Sequence, residues 1–355
     1  MSRSTHRPAR RLLTSIGAMA AVGALVVGCT SNEPDTADDD NAADDDGGNA
    51  ASSNDDTGDT VVIGFSGPEA DHGWLGAINS SAQETAEQYD DIDFRMAEGT
   101  NDPNLQISQV ETFINEGVDA IVLLPTDGAA LTEVATQAMN AGIPVVNVDR
   151  EFTSPFAARA TILGDNYGMG VSAGTYACQL IEDNNITDPV IAEIQGIAAL
   201  DLTQDRTQGF EDALSDCGQE VDNRVAAECT VESGEREASN LLQAADRIDI
   251  VWNHDDDQGI GVKQAFDNAG RDEFFFIGGA GSRNAMEWIQ DGEMEASVLY
   301  PPTQAGDGIK LARLIAQGKG MSDLVQVEVP VRIVLNAPVV TQDNVEEYLP
   351  LGFDS

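Results

Sequence analysis

The sequence predicts an α/β protein made of two parallel-sheet lobes, and three observations carry that expectation. From Val61 onward, short apolar runs alternate with longer stretches whose apolar residues recur at helical spacing, as at Leu105, Val110, Phe113 and Ile114. The short runs are continuously apolar, which is how strands covered on both faces read. The alternation occupies residues 61 to about 163 and then begins afresh over about 164 to 299.

Taken in order, "VVIGFSG" is a strand and "WLGAINSSAQETAEQY" a helix. "IDFRMA", "DAIVLLP" and "PVVNVD" are further strands, separated by the helices "NLQISQVETFINEG" and "AALTEVATQAMNAG". The second unit opens on the helix "YGMGVSAGTYACQLIED" and the strand "PVIAEIQG". Its later strands are "RVAAEC", "IDIVWN", "EFFFIGG" and "ASVLY", with the helices "LTQDRTQGFEDALSDC", "REASNLLQAADR", "DDQGIGVKQAFDNAG" and "SRNAMEWIQDG" between them. One more helix, "PPTQAGDGIKLARLIAQGKG", and short strands complete the chain.

Before these units lie two segments with no core of their own. Residues 1–28 combine Arg3, Arg7, Arg10 and Arg11 with an apolar run from Leu12 to Val27, the pattern of an export signal. The run is short for a membrane span, which needs roughly 20 apolar residues. It ends in "VVGC", which resembles a bacterial lipobox and would make Cys29 the lipidated first residue of the mature protein. Arg10-Arg11 leaves open whether the general or the twin-arginine route is used. Residues 29–60 are almost all Asp, Asn, Ser, Thr, Ala and Gly, a composition that stays disordered. Such a tether reaches roughly 30 Å as a coil, and self-repulsion extends it.

The net charge of the 355 residues is −44. The export signal holds four arginines and no acid and the tether eleven acids and no base, so the body keeps about −37. That excess argues against nucleic acid or anionic lipid as partners. We read it as adaptation to a halophilic, high-salt setting. Outside the membrane, cysteines can pair. Cys217 ends a helix and Cys229 lies near the far end of the next strand, so Cys178, also near a helix end, is the expected partner of Cys217.

In an open α/β sheet, ligands bind beyond the carboxyl ends of the strands. There the sequence places Asp71, His72 and Trp74, then the adjacent Asp149 and Arg150. In the second unit the corresponding loops carry Asp201, Gln204, His254, Asp255, Arg283 and Tyr300. Carboxylates accept from neighbouring hydroxyls, arginine donates in a fixed fork, and an aromatic face packs on the C–H side of a sugar ring. The set suits a neutral polyhydroxylated ligand. Each residue also has a structural reading: Asp149 and Arg150 as an ion pair, Trp74 and Tyr300 as packing, Asp255 or Asp201 as helix caps. Catalysis finds little support. His6, His72 and His254 are the three histidines, and no nucleophile elbow, metal-spaced set or phosphate loop appears. We therefore expect no enzyme, no metal and no cofactor.

At these loops the chain resembles the type I periplasmic sugar-binding proteins, the ribose- and galactose-binding group. The likeness runs from about residue 61 to the end through "DAIVLLPTD", "AGIPVVNVDRE", "GDNYGMGVSAG", "QGIAALDLTQDRTQGF", "VWNHDDDQGIGVKQAF" and "VVTQDNVEEYLPLGF". The resemblance implies two Rossmann-like lobes joined by a three-segment hinge with crossings near residues 163, 300 and 330. The amino-terminal lobe is then 61–163 plus 301–329, and the carboxy-terminal lobe 164–300 plus 330–355. By the same resemblance Asp149 and Arg150 grip ring oxygen and hydroxyls and Trp74 stacks. His72 takes an asparagine position, and His254 with Asp255 takes the asparagine–aspartate pair. Gln204 replaces an arginine, Ala280 an aspartate and Gly234 an aromatic, which argues against ribose itself.

Together these expectations describe a monomeric, lipid-anchored, extracytoplasmic binding protein. It takes a sugar or polyol and presents it to the permease subunits of an ABC importer. Two rivals share the cleft: a sensor lipoprotein docking on a membrane receptor, and an extracytoplasmic enzyme acting on carbohydrate, which needs a paired acid and base. A signal and tether stand where a repressor's DNA-binding helices would be.

Overall fold

A computed structural model describes residue 54, residues 56–321 and residues 328–354. The export signal, the lipobox cysteine and most of the tether lie outside the described residues. The elements follow the expected alternation. The first run is β1 (Val61–Ser66), α1 (Gly73–Ala86), β2 (Ile92–Met96), α2 (Pro103–Glu116), β3 (Ala120–Leu123), α3 (Gly128–Asn140), β4 (Val145–Val148) and β5 (Ala160–Gly164). The second is α4 (Asn166–Asp183), β6 (Ile191–Gln195), α5 (Asp201–Asp216), β7 (Asn223–Ala226), α6 (Val231–Ala244), β8 (Ile250–Asn253), α7 (Asp256–Ala269), β9 (Phe275–Ala280), α8 (Arg283–Asp291) and β10 (Ala296–Leu299). Then come α9 (Gln304–Ala316), β11 (Arg332–Leu335) and β12 (Val339–Thr341).

Two sheets form, in the orders β11-β5-β4-β3-β1-β2 and β12-β10-β9-β8-β6-β7. All pairings are parallel except that of β10 with β12. β3, β4, β8 and β10 are buried along their whole length, because helices cover both faces. Helix ends are set by local chemistry. Asp102, Asp127, Asp165 and Ser282 each accept a main-chain N–H at a helix start, and Gly117, Gly270 and Gly292 take the left-handed conformation at helix ends.

The chain passes between the sheets after β5, after β10, and between β11 and β12. The last crossing corrects an expectation. The resemblance puts residues 330–355 together in the second lobe, yet Arg332–Leu335 pairs in register with Thr161–Gly164 of the first sheet. The apolar alternation of "RIVL" satisfies the open edge of β5, a strand that the pattern of runs did not single out. Helix α9 packs on α1 and the first sheet, with Gly306 against Ser81 and Thr85, and Gly308 against Val122 and Val148.

The tether is corrected at its end. Arg313 on α9, 2% exposed, binds the carbonyls of Asn54 (2.6 Å) and Asp56 (2.9 Å), while the N–H of Gly58 donates to Asp91 (2.6 Å). Asn54 and residues 56–60 thus lie on the first lobe, drawn by a buried cation that composition cannot reveal. In the second lobe Cys178 and Cys217 are joined, tying α4 to the end of α5, and Cys229 is unpaired.

Candidate functional site

Both sheets turn the carboxyl ends of their strands to one cleft, and Asp149 stands there immediately after β4. It is 3% exposed and has a left-handed backbone (φ 64°), a conformation that, glycine apart, aspartate and asparagine tolerate best. Its N–H donates to the Ile162 carbonyl (2.8 Å), so the neighbouring strand sets that conformation. Oδ1 accepts from the Tyr300 hydroxyl (2.6 Å), and Oδ2 lies 3.8 Å from Arg150 Nε. Arg150 Nη1 donates to the Thr126 carbonyl (2.9 Å), while its buried Nε makes no hydrogen bond among the described residues. A carboxylate offers about four lone-pair sites. This one is committed at one oxygen and retains accepting capacity beside an arginine.

A chain of hydrogen bonds continues from Asp149 into the second lobe. Tyr300 accepts from Asn166 Nδ2 (3.0 Å), whose Oδ1 accepts from Arg206 Nε (2.9 Å). Arg206 also donates to the His254 carbonyl (3.2 Å), and its guanidinium lies 4.6 Å from the Tyr300 ring centre. Burial pushes the Tyr300 phenol up, with Asp149 adding to it, so the hydroxyl remains a donor. The expected site set leaves out Asn166 and Arg206. Arg206 was legible in principle: Thr203, Arg206, Phe210 and Ala213 share the buried face of α5, whereas Gln204 points away from it.

The other expected residues divide. Trp74 is 6% exposed, and its indole N–H donates to the Tyr300 carbonyl (3.0 Å). His72 and Asn101 both bind Asp71, at 2.7 and 2.9 Å, which ties the first strand-end loop together. Asp201 and Gln204 line the cleft, but neither caps α5, whose cap position is Leu200. The three acids after His254 do different work. Asp255 caps α7, Asp256 accepts from the N–H groups of Gly279, Gly281 and Ser282, and Asp257 reaches the first lobe at the Trp74 N–H (3.3 Å). Burial first, and then Asp257, pushes Asp255 well above the usual carboxyl range.

Two expected residues turn away from the cleft. His254 is fully buried in the second lobe, with Nε2 2.9 Å from Glu193 and its ring 4.2 Å from that of Trp252. Burial pulls its pKa down against the opposing effect of Glu193, and since a carboxylate only accepts, Nε2–H donates to Glu193, which also binds Arg224 and Thr207. Side chains alternate along a strand, so the residue beside a site residue faces elsewhere. Arg283 binds Asp354 (3.1 Å) and the Gly352 carbonyl (3.0 Å) and fastens the carboxy-terminal segment.

Beyond Asp149 the cleft opens into a cavity of about 460 Å³, walled by Asp127, Arg150, Asn166, Gln204 and Asp205 among others. The mouth is acidic: partial burial, with Asp201 and Glu151 nearby, raises Asp205. A larger opening of about 740 Å³ near Tyr176, Glu295 and Asn344 lies at the amino ends of the second sheet's strands, away from the converging polar groups. No cluster of His, Cys, Asp and Glu fit to hold a metal occurs among the described residues.

Comparison with known proteins follows the same geometry. The family described as periplasmic binding protein domain matches residues 63–320. The chain belongs to that family. This periplasmic binding protein is 29% identical to the ribose import binding protein of Bacillus subtilis over 211 residues, 59% of this chain and 67% of that one. It is 25% identical to the xylitol-binding protein of Mycolicibacterium smegmatis over 342 residues, 94% of this chain and 88% of that one. Among solved structures it resembles a solute-binding protein of an ABC transporter from Bacillus halodurans with bound myo-inositol. That match has TM-score 0.74 and 26% identity, and covers 83% of this chain and 99% of the other. The two-sheet arrangement is the type I periplasmic binding protein fold.

Proposed function

We propose that the chain is an extracytoplasmic solute-binding lipoprotein. It takes a monosaccharide or sugar alcohol into the interlobe cleft by hinge closure and passes it to the permease of an ABC importer. The observation that supports this most is Asp149: a buried carboxylate beside Arg150, aimed at the cleft, with accepting capacity to spare. Asn166, Gln204 and Arg150 supply donors around it, and adjacent hydroxyls match such a set. Relatives named for ribose and xylitol, and a neighbour holding myo-inositol, make hydroxylated carbon skeletons the ligands to try first. The "VVGC" stretch and the acidic segment after it support a lipid anchor at Cys29 and a tether, with the body acting as a monomer.

The test is the melting temperature of residues 30–355 against pentoses, hexoses, alditols and cyclitols, in low and in high salt. A ligand at a hundred times its Kd stabilises by about 2.7 kcal/mol, which moves the melt by about 5–10 °C for a protein of this kind. A folded protein unmoved by every compound would end the sugar reading. For the anchor, Cys29→Ser should shed the protein from the membrane into the medium, and full retention would refute it.

A further inference from the structure

The site's aromatic pair is not arranged as a stacking platform for a ligand in the cavity. Trp74 meets Tyr300 instead, with ring centres 5.6 Å apart and the indole N–H bound to the Tyr300 carbonyl. Tyr300 is 2% exposed and held on every side. Its hydroxyl donates to Asp149 and accepts from Asn166, and Arg206 lies over its ring. Gly164 lies beneath it, where an added Cβ would stand 2.1 Å from Tyr300 Cε2. Only glycine admits the ring there. Beyond this group, the cavity of about 460 Å³ has no aromatic side chain in its wall among the described residues. Its wall carries Asp149, Arg150, Asn166 and Gln204, with further acids such as Asp127 and Asp205 and a few aliphatic side chains between them.

We propose that Tyr300 is a specificity-determining residue. By covering Trp74 it removes the stacking face and directs the site to open-chain sugar alcohols over pyranose sugars. This rests on the sugar or polyol reading above. A pyranose has a C–H face whose burial on an aromatic ring is a principal source of its affinity. Against carboxylate, amide and guanidinium groups that face gains little and leaves the wall's polar atoms unpaired. An open chain bears a hydroxyl on each carbon and can turn one to each wall group. It loses rotational freedom in doing so, but a buried polar group left unpaired costs more than one frozen rotor.

The experiment is calorimetric titration of the full chain with xylitol and D-xylose, D-arabinitol and D-arabinose, and D-glucitol and D-glucose. In at least one pair the alditol should bind tenfold or more tighter than its aldose. Tyr300→Ala uncovers Trp74 and should shift that ratio at least tenfold towards the aldose. Tyr300→Phe keeps a ring against Trp74 and loses only the hydroxyl's bonds, so both ligands should weaken and the ratio should hold. If the alanine variant fails to fold, Tyr300→Leu makes the same test with a smaller opening. An aldose preferred by the wild type, or a ratio unmoved by the truncation, overturns the inference and leaves the sugar reading intact. Binding of neither class by folded protein overturns both.

Discussion

Asp149→Asn is expected to weaken binding of the ligand found by the melting screen by about 100-fold, with the fold retained. Hydrogen bonds to a charged group are worth about 1.5–3 kcal/mol each, and about 2.7 kcal/mol corresponds to 100-fold in Kd. Asparagine is the informative replacement because it tolerates the left-handed backbone seen here (φ 64°). Alanine at the same position would add about 1–2 kcal/mol of backbone strain and mix a folding defect into the binding measurement. The variant also exchanges the acceptor of the Tyr300 hydroxyl for a weaker neutral one, so part of the loss reflects a less firmly held Tyr300. Titration calorimetry decides the matter. An affinity within threefold of wild type would show that the carboxylate serves the structure alone.

The largest stability effect is expected at Arg313→Ala, about 3–5 kcal/mol, read as a fall in Tm of about 10 °C or more. Arg313 and Asp91 are each 2% exposed and meet through two hydrogen bonds, at 2.7 and 2.6 Å. The guanidinium also lies 4.4 Å from the Tyr89 ring centre. Truncating it leaves the buried Asp91 without its charged partner and frees Asn54 and residues 56–60 from the lobe surface. The same pair predicts a pH dependence. The Arg313 hydrogen bonds hold Asp91 well below the ordinary carboxyl range, against the opposing effect of burial, with the Gly58 N–H and Gln317 assisting. A carboxyl depressed in the folded state contributes stability that is complete above its unfolded value of about 4 and is lost as pH falls towards the folded value. The difference in Tm between wild type and variant should therefore shrink on acidification below about pH 4. A difference unchanged down to pH 2.5, or a Tm loss under 3 °C at pH 7, would refute this role.

How much of the site was legible depended on the kind of signal each residue leaves. Asp149 and Arg150 stood out because two charges at the end of an apolar strand have no place in a core. The acids at 255–257 stood out for the same reason, but their separate duties follow from the turn into α7, which points successive side chains in different directions, and from which loop each meets. His254 misled because a polar residue beside a strand end was read as facing the cleft, whereas it sits against Glu193 and Trp252. Arg206 lies inside α5, one turn past its start, and only the 203–206–210–213 face of that helix marks it as buried.

Apolar periodicity by itself determined the order of strands and helices, β5 and the edge strand β11 apart, and the division into two sheets, since burial on both faces writes itself into every residue of a central strand. It also located the cleft, which follows from where parallel strands end. What only the tertiary structure decided was which groups meet across that cleft. Asp149 and Tyr300, 151 residues apart, and Arg206 and Asn166, 40 apart, touch through long-range packing that leaves no local pattern. The pairing of β11 with β5 was equally hidden, because the partner of an edge strand is set by where the sheet remains open and by no period in its own four residues.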